Sequence, residues 1–185
     1  MENLLLSNKI MKLQKTNFKD LHLLELEKKS DQRGDFFRLF CNKFFFKFNI
    51  KFEIKQISFA TNLNKHTLRG MHFQDYPMQE RKLLCCLKGK IWDVVVDIRK
   101  DSKTFGRWQY FKLDSKKCLF IPKGFAHGYI TLTNNVELIY CMDEYYEPNL
   151  SKGFIWNDKD VNILWPHEPK VISNSDKNLS NLNEL

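Results

Sequence analysis

From Gln56 onward, short apolar runs alternate with turn-forming pieces. QISFA, KLLCCL, KIWDVVVDI, WQYFKL, CLFIP, HGYITL and VELIYCM are rich in β-branched and aromatic residues, and LKGK, DSKTFG and IPKGFAHG interrupt them. Such a cadence predicts an antiparallel sandwich or barrel. In KIWDVVVDI a period of two puts Trp92, Val94, Val96 and Ile98 on one face and Asp93, Val95 and Asp97 on the other. Two readings fit the acidic face: it meets solvent, or it lines an interior and its carboxylates need polar partners. Upstream, DQRGDFFRLF reads as a turn into a strand, and NKFFFKFN fits no single element type. The end reads as loops with a short helix, closing on a polar tail over 173–185.

Composition narrows the class. At 185 residues with 43% hydrophobic positions, the chain suits one domain spanning its whole length. Nowhere do about 20 apolar residues run together as a membrane span needs. The opening MENLLLSNKI carries Glu2 and only three leucines in a row, short of the roughly 7–15 apolar residues of a signal-peptide core. A soluble, cytoplasmic protein is expected. Cys41, Cys85, Cys86, Cys118 and Cys141 are odd in number and contain no CxxC pair, which predicts neither a disulfide framework nor a zinc knuckle. The net charge of +8 admits nucleic acid, an anionic membrane or a phosphorylated small molecule. Its lysines are scattered and interrupted by acids, as in KDSKTFGRW and WNDKD, so the charge reads as solvated surface rather than a nucleic-acid face.

The densest chemistry is in LRGMHFQ, residues 68–74. A barrel that holds a metal through one strand uses His-x-His, because alternate side chains point the same way. Here Gln74 follows His72 at that spacing and Gly70 precedes it, so no metal pair is present and no metal site is expected. His127 could join His72 across a barrel, but two histidines without a third ligand make a weak site. Without a metal, an inward histidine near Arg69 and Lys82 suits a general base: nearby cations favour neutral imidazole and stabilise an enolate. Tyr140 in VELIYCM could return a proton from the opposite side. Taken singly, His72 also reads as a hydrogen-bonded core histidine and Tyr140 as a half-buried strand tyrosine.

Taken together, DQRGDFFRLF, LRGMHFQ, RKLLCCLKGKIWDVVVDIRKDSKTFG, IPKGFAHGY, IYCMDEYYEP and FIWNDKDVNILWP resemble the dTDP-4-dehydrorhamnose 3,5-epimerase family, from about Arg33 to Pro166 with a weaker echo to Asp176. The resemblance implies an all-β, cupin-type jelly roll with short flanking helices, a homodimer, and a cofactor-free epimerase of nucleoside-diphosphate 4-keto-6-deoxy sugars that serves surface polysaccharide. It implies His72 as base, Tyr140 as opposing acid, Lys82 as the enolate-stabilising cation and Asp176 as the carboxylate that holds the histidine. Arg33, Arg38, Gln56, Ser58, Arg69, His127 and Tyr146 fall on substrate-contacting positions. Asp93 is a candidate partner for Lys82.

The chain departs from the family pattern at several of these positions. Arg38 stands where thymidine-type members carry a glutamate that meets the base; a guanidinium cannot accept the thymine N–H but can donate to guanine O6 or cytosine O2. Ser58 replaces a common asparagine, Asn149 a common glutamate, and Ser175 a usual lysine. The nucleotide, hexose or heptose, and inversion at C3 alone or at both carbons are left open. So are a 3,4-ketoisomerase on the same fold, which generally uses a close histidine pair absent from HFQ, and a non-enzymatic sugar-nucleotide-binding cupin.

Overall fold

Eight strands pair as a nested ribbon that rolls up on itself. The structure, a computed structural model, describes residues 11–185; the leucine run at the start of the chain lies outside them. Strands β1 (Met11–Lys15) and β2 (His22–Leu26) precede a hairpin, β3 (Lys28–Asp31) and β4 (Gly34–Phe37), and a short helix, α1 (Asn42–Lys47). The ribbon follows: β5 (Gln56–Asn62), β6 (Leu68–Gln74), β7 (Lys82–Lys88), β8 (Ile91–Asp97), β9 (Trp108–Leu113), β10 (Lys117–Ile121), β11 (Phe125–Thr131) and β12 (Val136–Met142). Then come β13 (Ser151–Gly153) and a last helix, α2 (Asn174–Lys177). β5 pairs with β12, β6 with β11, β7 with β10 and β8 with β9, all antiparallel. This nesting is the jelly roll. It splits into sheets ordered β1-β2-β10-β7-β12-β5 and β13-β6-β11-β8-β9, and the β3–β4 hairpin forms a separate pair.

Three apolar layers explain why β8 and β11 are buried along their whole length. Between the sheets lie Leu84, Cys86, Val95, Leu119, Phe125 and Tyr129. Under the smaller sheet, Trp92, Val94 and Val96 are covered by Phe154, Val161, Ile163 and Leu182. Over the larger sheet, Phe45 of α1 and Phe52 cover Leu83, Cys85, Phe120 and Cys141. NKFFFK is thus helical because one phenylalanine, Phe45, is wholly enclosed there, worth roughly 2–3 kcal/mol of transfer free energy.

The structure decides between the two readings of KIWDVVVDI. Asp93, Val95 and Asp97 face the barrel interior, and the wholly apolar face is the outer one, roofed by the C-terminal segment. The polar tail is correspondingly not a solvated run: Leu182 and Asp176 are buried, and Ile155 donates its N–H to the Ser180 carbonyl. The disulfide expectation also needs correction. Cys85 and Cys118 sit directly opposite each other on β7 and β10 with Cα atoms 4.4 Å apart, and the structure joins them. That register is invisible in cysteine spacing, since 33 residues separate the pair.

Asp97 is a buried carboxylate satisfied by Arg99, Ser102 and Thr104 at 2.6–2.8 Å. Burial works to raise its pKa, and these donors outweigh it, holding the group at about 2. The folded value lies below the unfolded one, so the stabilisation is complete above pH 4 and disappears as pH falls through about 2. Asp97→Asn is expected to lower stability by about 2 kcal/mol at neutral pH. Urea midpoints of variant and wild type should converge on acidification.

Candidate active site

LRGMHFQ is an interrupted strand. A regular strand would send Arg69 and His72, three residues apart, to opposite faces. In the β6–β11 pair His127 lies opposite His72 and Tyr129 opposite Arg69, so β6 holds one residue more than β11 over that interval. This bulge at Gly70 turns both Arg69 and His72 into the barrel while Leu68 and Met71 stay on the outer face. Gly70 has φ +134°, and a Cβ there would stand 2.6 Å from the Gly128 Cα. Gly70→Ala is expected to destabilise the protein by about 1–3 kcal/mol from backbone strain alone, more with the collision. A shift of the chemical-denaturation midpoint checks it.

The bulge also frees the Gly70 N–H, which donates to Asp176 Oδ2 at 3.1 Å while His72 Nε2 meets Asp176 Oδ1 at 2.9 Å. Asp176 sits in the four-residue helix α2, whose N-cap Ser173 accepts the Asp176 N–H. Burial disfavours its ionised form; the His72 bond and charge, Gly70 and Ser173 together outweigh that and hold the carboxyl below its usual value. An ionised Asp176 fixes the His72 ring and leaves Nδ1 as the nitrogen available to take a proton. The imidazole remains 45% exposed, so a ligand can reach it.

A second carboxylate–imidazole pair lies beside the first. His127 Nε2 approaches Asp93 Oδ2 at 2.6 Å, both groups nearly fully enclosed. Burial raises the Asp93 pKa against the pull of His127 and the nearby Lys82 charge. Lys82 itself pairs with Glu80 at 2.9 Å, so its ion-pair partner is Glu80 and not Asp93. Asp93 lies close enough to feel the ammonium, but it is directed across the sheet onto His127.

Tyr140 enters from the facing sheet, its ring edge-on to His127 at 6.3 Å. Burial first, then the neighbouring Tyr129, push the Tyr140 phenol well above its ordinary range and keep it protonated. Ser58 lies directly opposite Tyr140 on β5. Gln56 begins the same strand and accepts the Tyr146 N–H at 3.0 Å, leaving the Tyr146 ring exposed at the rim. Gln74 fills its place two residues after His72 as a loop anchor, donating to the Tyr145 carbonyl and accepting the Glu147 N–H, each at 2.8 Å. Among the described residues no three His, Cys, Asp or Glu side chains converge as a metal site.

Of the expected site, the β6–β11 register brings His72, Arg69 and His127 together, Asp176 meets His72, Tyr140 packs edge-on to His127 with Ser58 opposite it, and Lys82 lies near Asp93, so that these residues form one cluster. Arg33 and Arg38 do not join it within this chain. Arg33 is exposed on the separate hairpin, paired with Asp31 at 2.6 Å, and Arg38 lines a groove beside α1. Sequence reading missed Asn62, Tyr129 and Glu80. The first two continue alternations already visible, Gln56–Ser58–Ala60–Asn62 and His127–Tyr129; Glu80 lies off any strand and left no signal.

A jelly roll whose interior holds a carboxylate-bound imidazole and a protonated phenol, with an ammonium nearby, has the parts of an acid–base enzyme. A sequence profile described as dTDP-4-dehydrorhamnose 3,5-epimerase matches residues 15–184. The chain belongs to that family of isomerases. It is 37% identical over 171 residues to the dTDP-4-dehydrorhamnose 3,5-epimerase of Shigella flexneri, covering 91% of this chain and 94% of the relative. The crystal structure of the Bacillus anthracis dTDP-4-dehydrorhamnose 3,5-epimerase with TDP and PPi bound superposes with a TM-score of 0.89 at 37% identity, covering 92% and 99% of the two chains. The Legionella pneumophila dTDP-6-deoxy-D-glucose-3,5-epimerase in complex with dTDP-4-keto-L-rhamnose gives 0.89 at 33% identity, covering 94% and 93%.

Proposed function

We propose that this chain epimerises a dTDP-4-keto-6-deoxyhexose at C3 and C5, with His72 as base, Tyr140 as acid and Lys82 as the cation that offsets the enolate. The observation that carries this is the His72–Asp176 pair, open to the cavity, on the sheet facing Tyr140. The C4 ketone acidifies the neighbouring C–H bonds; His72 Nδ1 takes one proton, charge moves to O4, and Tyr140 returns a proton to the other face, inverting the carbon. Arg69 and His127 contact the substrate from the β6–β11 wall, and Gln56, Ser58 and Tyr146 from the rim.

The family's nucleotide is thymidine, and Arg38 is the residue that puts it to the test. Incubation with dTDP-, GDP- and CDP-4-keto-6-deoxy sugars in deuterated water should place deuterium at C3 and C5 of one of them. Absence of exchange with all three defeats the proposal, and a migrated ketone signal indicates isomerisation instead.

The same reading extends to a single-domain homodimer in the cytoplasm that supplies a surface-polysaccharide precursor. Ile57 and Phe59 support the dimer, being 62% and 58% exposed on the outer face of edge strand β5. Sedimentation of the pure protein at twice the chain mass is the expected result.

A further inference from the structure

Among the described residues, the other basic side chains of the site are each matched by a carboxylate: His72 by Asp176, His127 by Asp93 and Lys82 by Glu80. Arg69 is held by a neutral amide instead. Asn62 Oδ1 accepts from Arg69 Nε at 2.9 Å and from the Tyr129 hydroxyl at 3.1 Å. A guanidinium can only donate, so the amide has to turn its oxygen toward it. The Asn62 Nδ2 is then sealed from water with no partner, in a side chain only 3% exposed. An orphaned donor of this kind costs stability. A carboxylate of the same shape would accept from both Arg69 and Tyr129 and strand no donor. What the amide preserves is the guanidinium's charge.

Register builds the contact. Asn62 is the last residue of β5, Tyr129 stands opposite Arg69, and the bulge at Gly70 turns Arg69 into the barrel. Arg69 Nη2 lies 3.5 Å from the Thr61 carbonyl, so the edge of the fork formed by Nε and Nη2 faces β5. The edge carrying Nη1 has no partner among the described residues, and Arg69 is exposed.

We propose that Asn62 is a positioning residue for substrate binding: it pins one edge of Arg69 without cancelling its charge, so that the other edge takes two oxygens of the substrate's diphosphate. This rests on the substrate contact proposed for Arg69. A planar guanidinium grips phosphate through two parallel N–H bonds, and a fork whose plane is set beforehand loses little freedom on binding. The diphosphate keeps its charge and place while the proton moves, so the grip is equally strong in ground and transition states. Its loss therefore raises KM and leaves kcat. Asn62 itself touches no substrate atom.

Two replacements separate holding from charge: Asn62→Asp keeps the acceptor and adds a charge, and Asn62→Ala removes the acceptor. Calorimetric titration with dTDP should give a Kd about tenfold above wild type for each, and KM for the dTDP-4-keto-6-deoxyhexose should rise alike with kcat kept. In Asn62→Asp the thermal midpoint should hold or rise while dTDP affinity falls, a split that a purely structural residue would not produce. In an Arg69→Ala background, Asn62→Ala should weaken dTDP no further, because a residue that acts through another loses its role when the other is gone. Wild-type dTDP affinity in Asn62→Asp overturns the proposal, as does a further loss in the double variant or a kcat that falls with KM unmoved. A wild type that neither exchanges deuterium nor inverts the sugar counts instead against the epimerase reading.

Discussion

Replacing His72 with alanine is expected to abolish both deuterium exchange and epimerisation, lowering kcat by about 1,000-fold, within the range usual for loss of a general base. The expectation follows from geometry. Nε2 is committed to Asp176 at 2.9 Å, so Nδ1 is the basic atom left to face the cavity. Lys82 is paired with Glu80 and His127 with Asp93, so neither stands ready to replace it. Stability should fall only modestly: His72 is 45% exposed and leaves no large cavity, and the buried Asp176 it strands keeps the Gly70 and Ser173 contacts. Single-turnover exchange at C3 and C5, with thermal unfolding as the control, checks both parts. Exchange by the variant at the wild-type rate would sink the assignment.

Tyr140→Phe should separate two events that wild type couples. With the phenol gone, His72 still removes a proton and can only return it, or a deuteron, to the same face. Exchange should continue while inversion falls by about 100-fold or more. Among the variants predicted here, this one alone should leave a folded enzyme that labels its substrate heavily and converts almost none of it. Parallel time courses of label and of inverted product give the ratio directly. If inversion proceeds at the wild-type rate, the acid lies elsewhere on the wall.

How far the sequence could be read differed from residue to residue. The seven runs from Gln56 to Met142 all became strands, because a run of β-branched and aromatic residues between turns carries its conformation locally. The N-terminal strands β1 and β2 were not legible: MKLQK and HLLEL are short, and they are strands because β10 offers its edge to β2. His72, Lys82 and Tyr140 were legible through shared motifs. Asp176 was legible as a position only, since the His72 it meets lies 104 residues away. Arg33 and Arg38 were placed at the substrate by resemblance, yet the hairpin and the groove that hold them are outside this chain's own cavity.

By itself the sequence determined which residues alternate, where the ribbon turns, and which side chains have the chemistry to move a proton. It could not determine which face of a strand is inside. In KIWDVVVDI the aspartates face inward because the C-terminal segment, laying Phe154, Val161 and Leu182 on Trp92, Val94 and Val96, covers the apolar face. Nor could it determine the bulge that turns Arg69 and His72 the same way, or the pairings Lys82–Glu80 and His127–Asp93. Side-chain periodicity is a property of neighbours along the chain. Which buried polar groups become partners is fixed only when distant strands come into register and each donor and acceptor sealed from water must find the other.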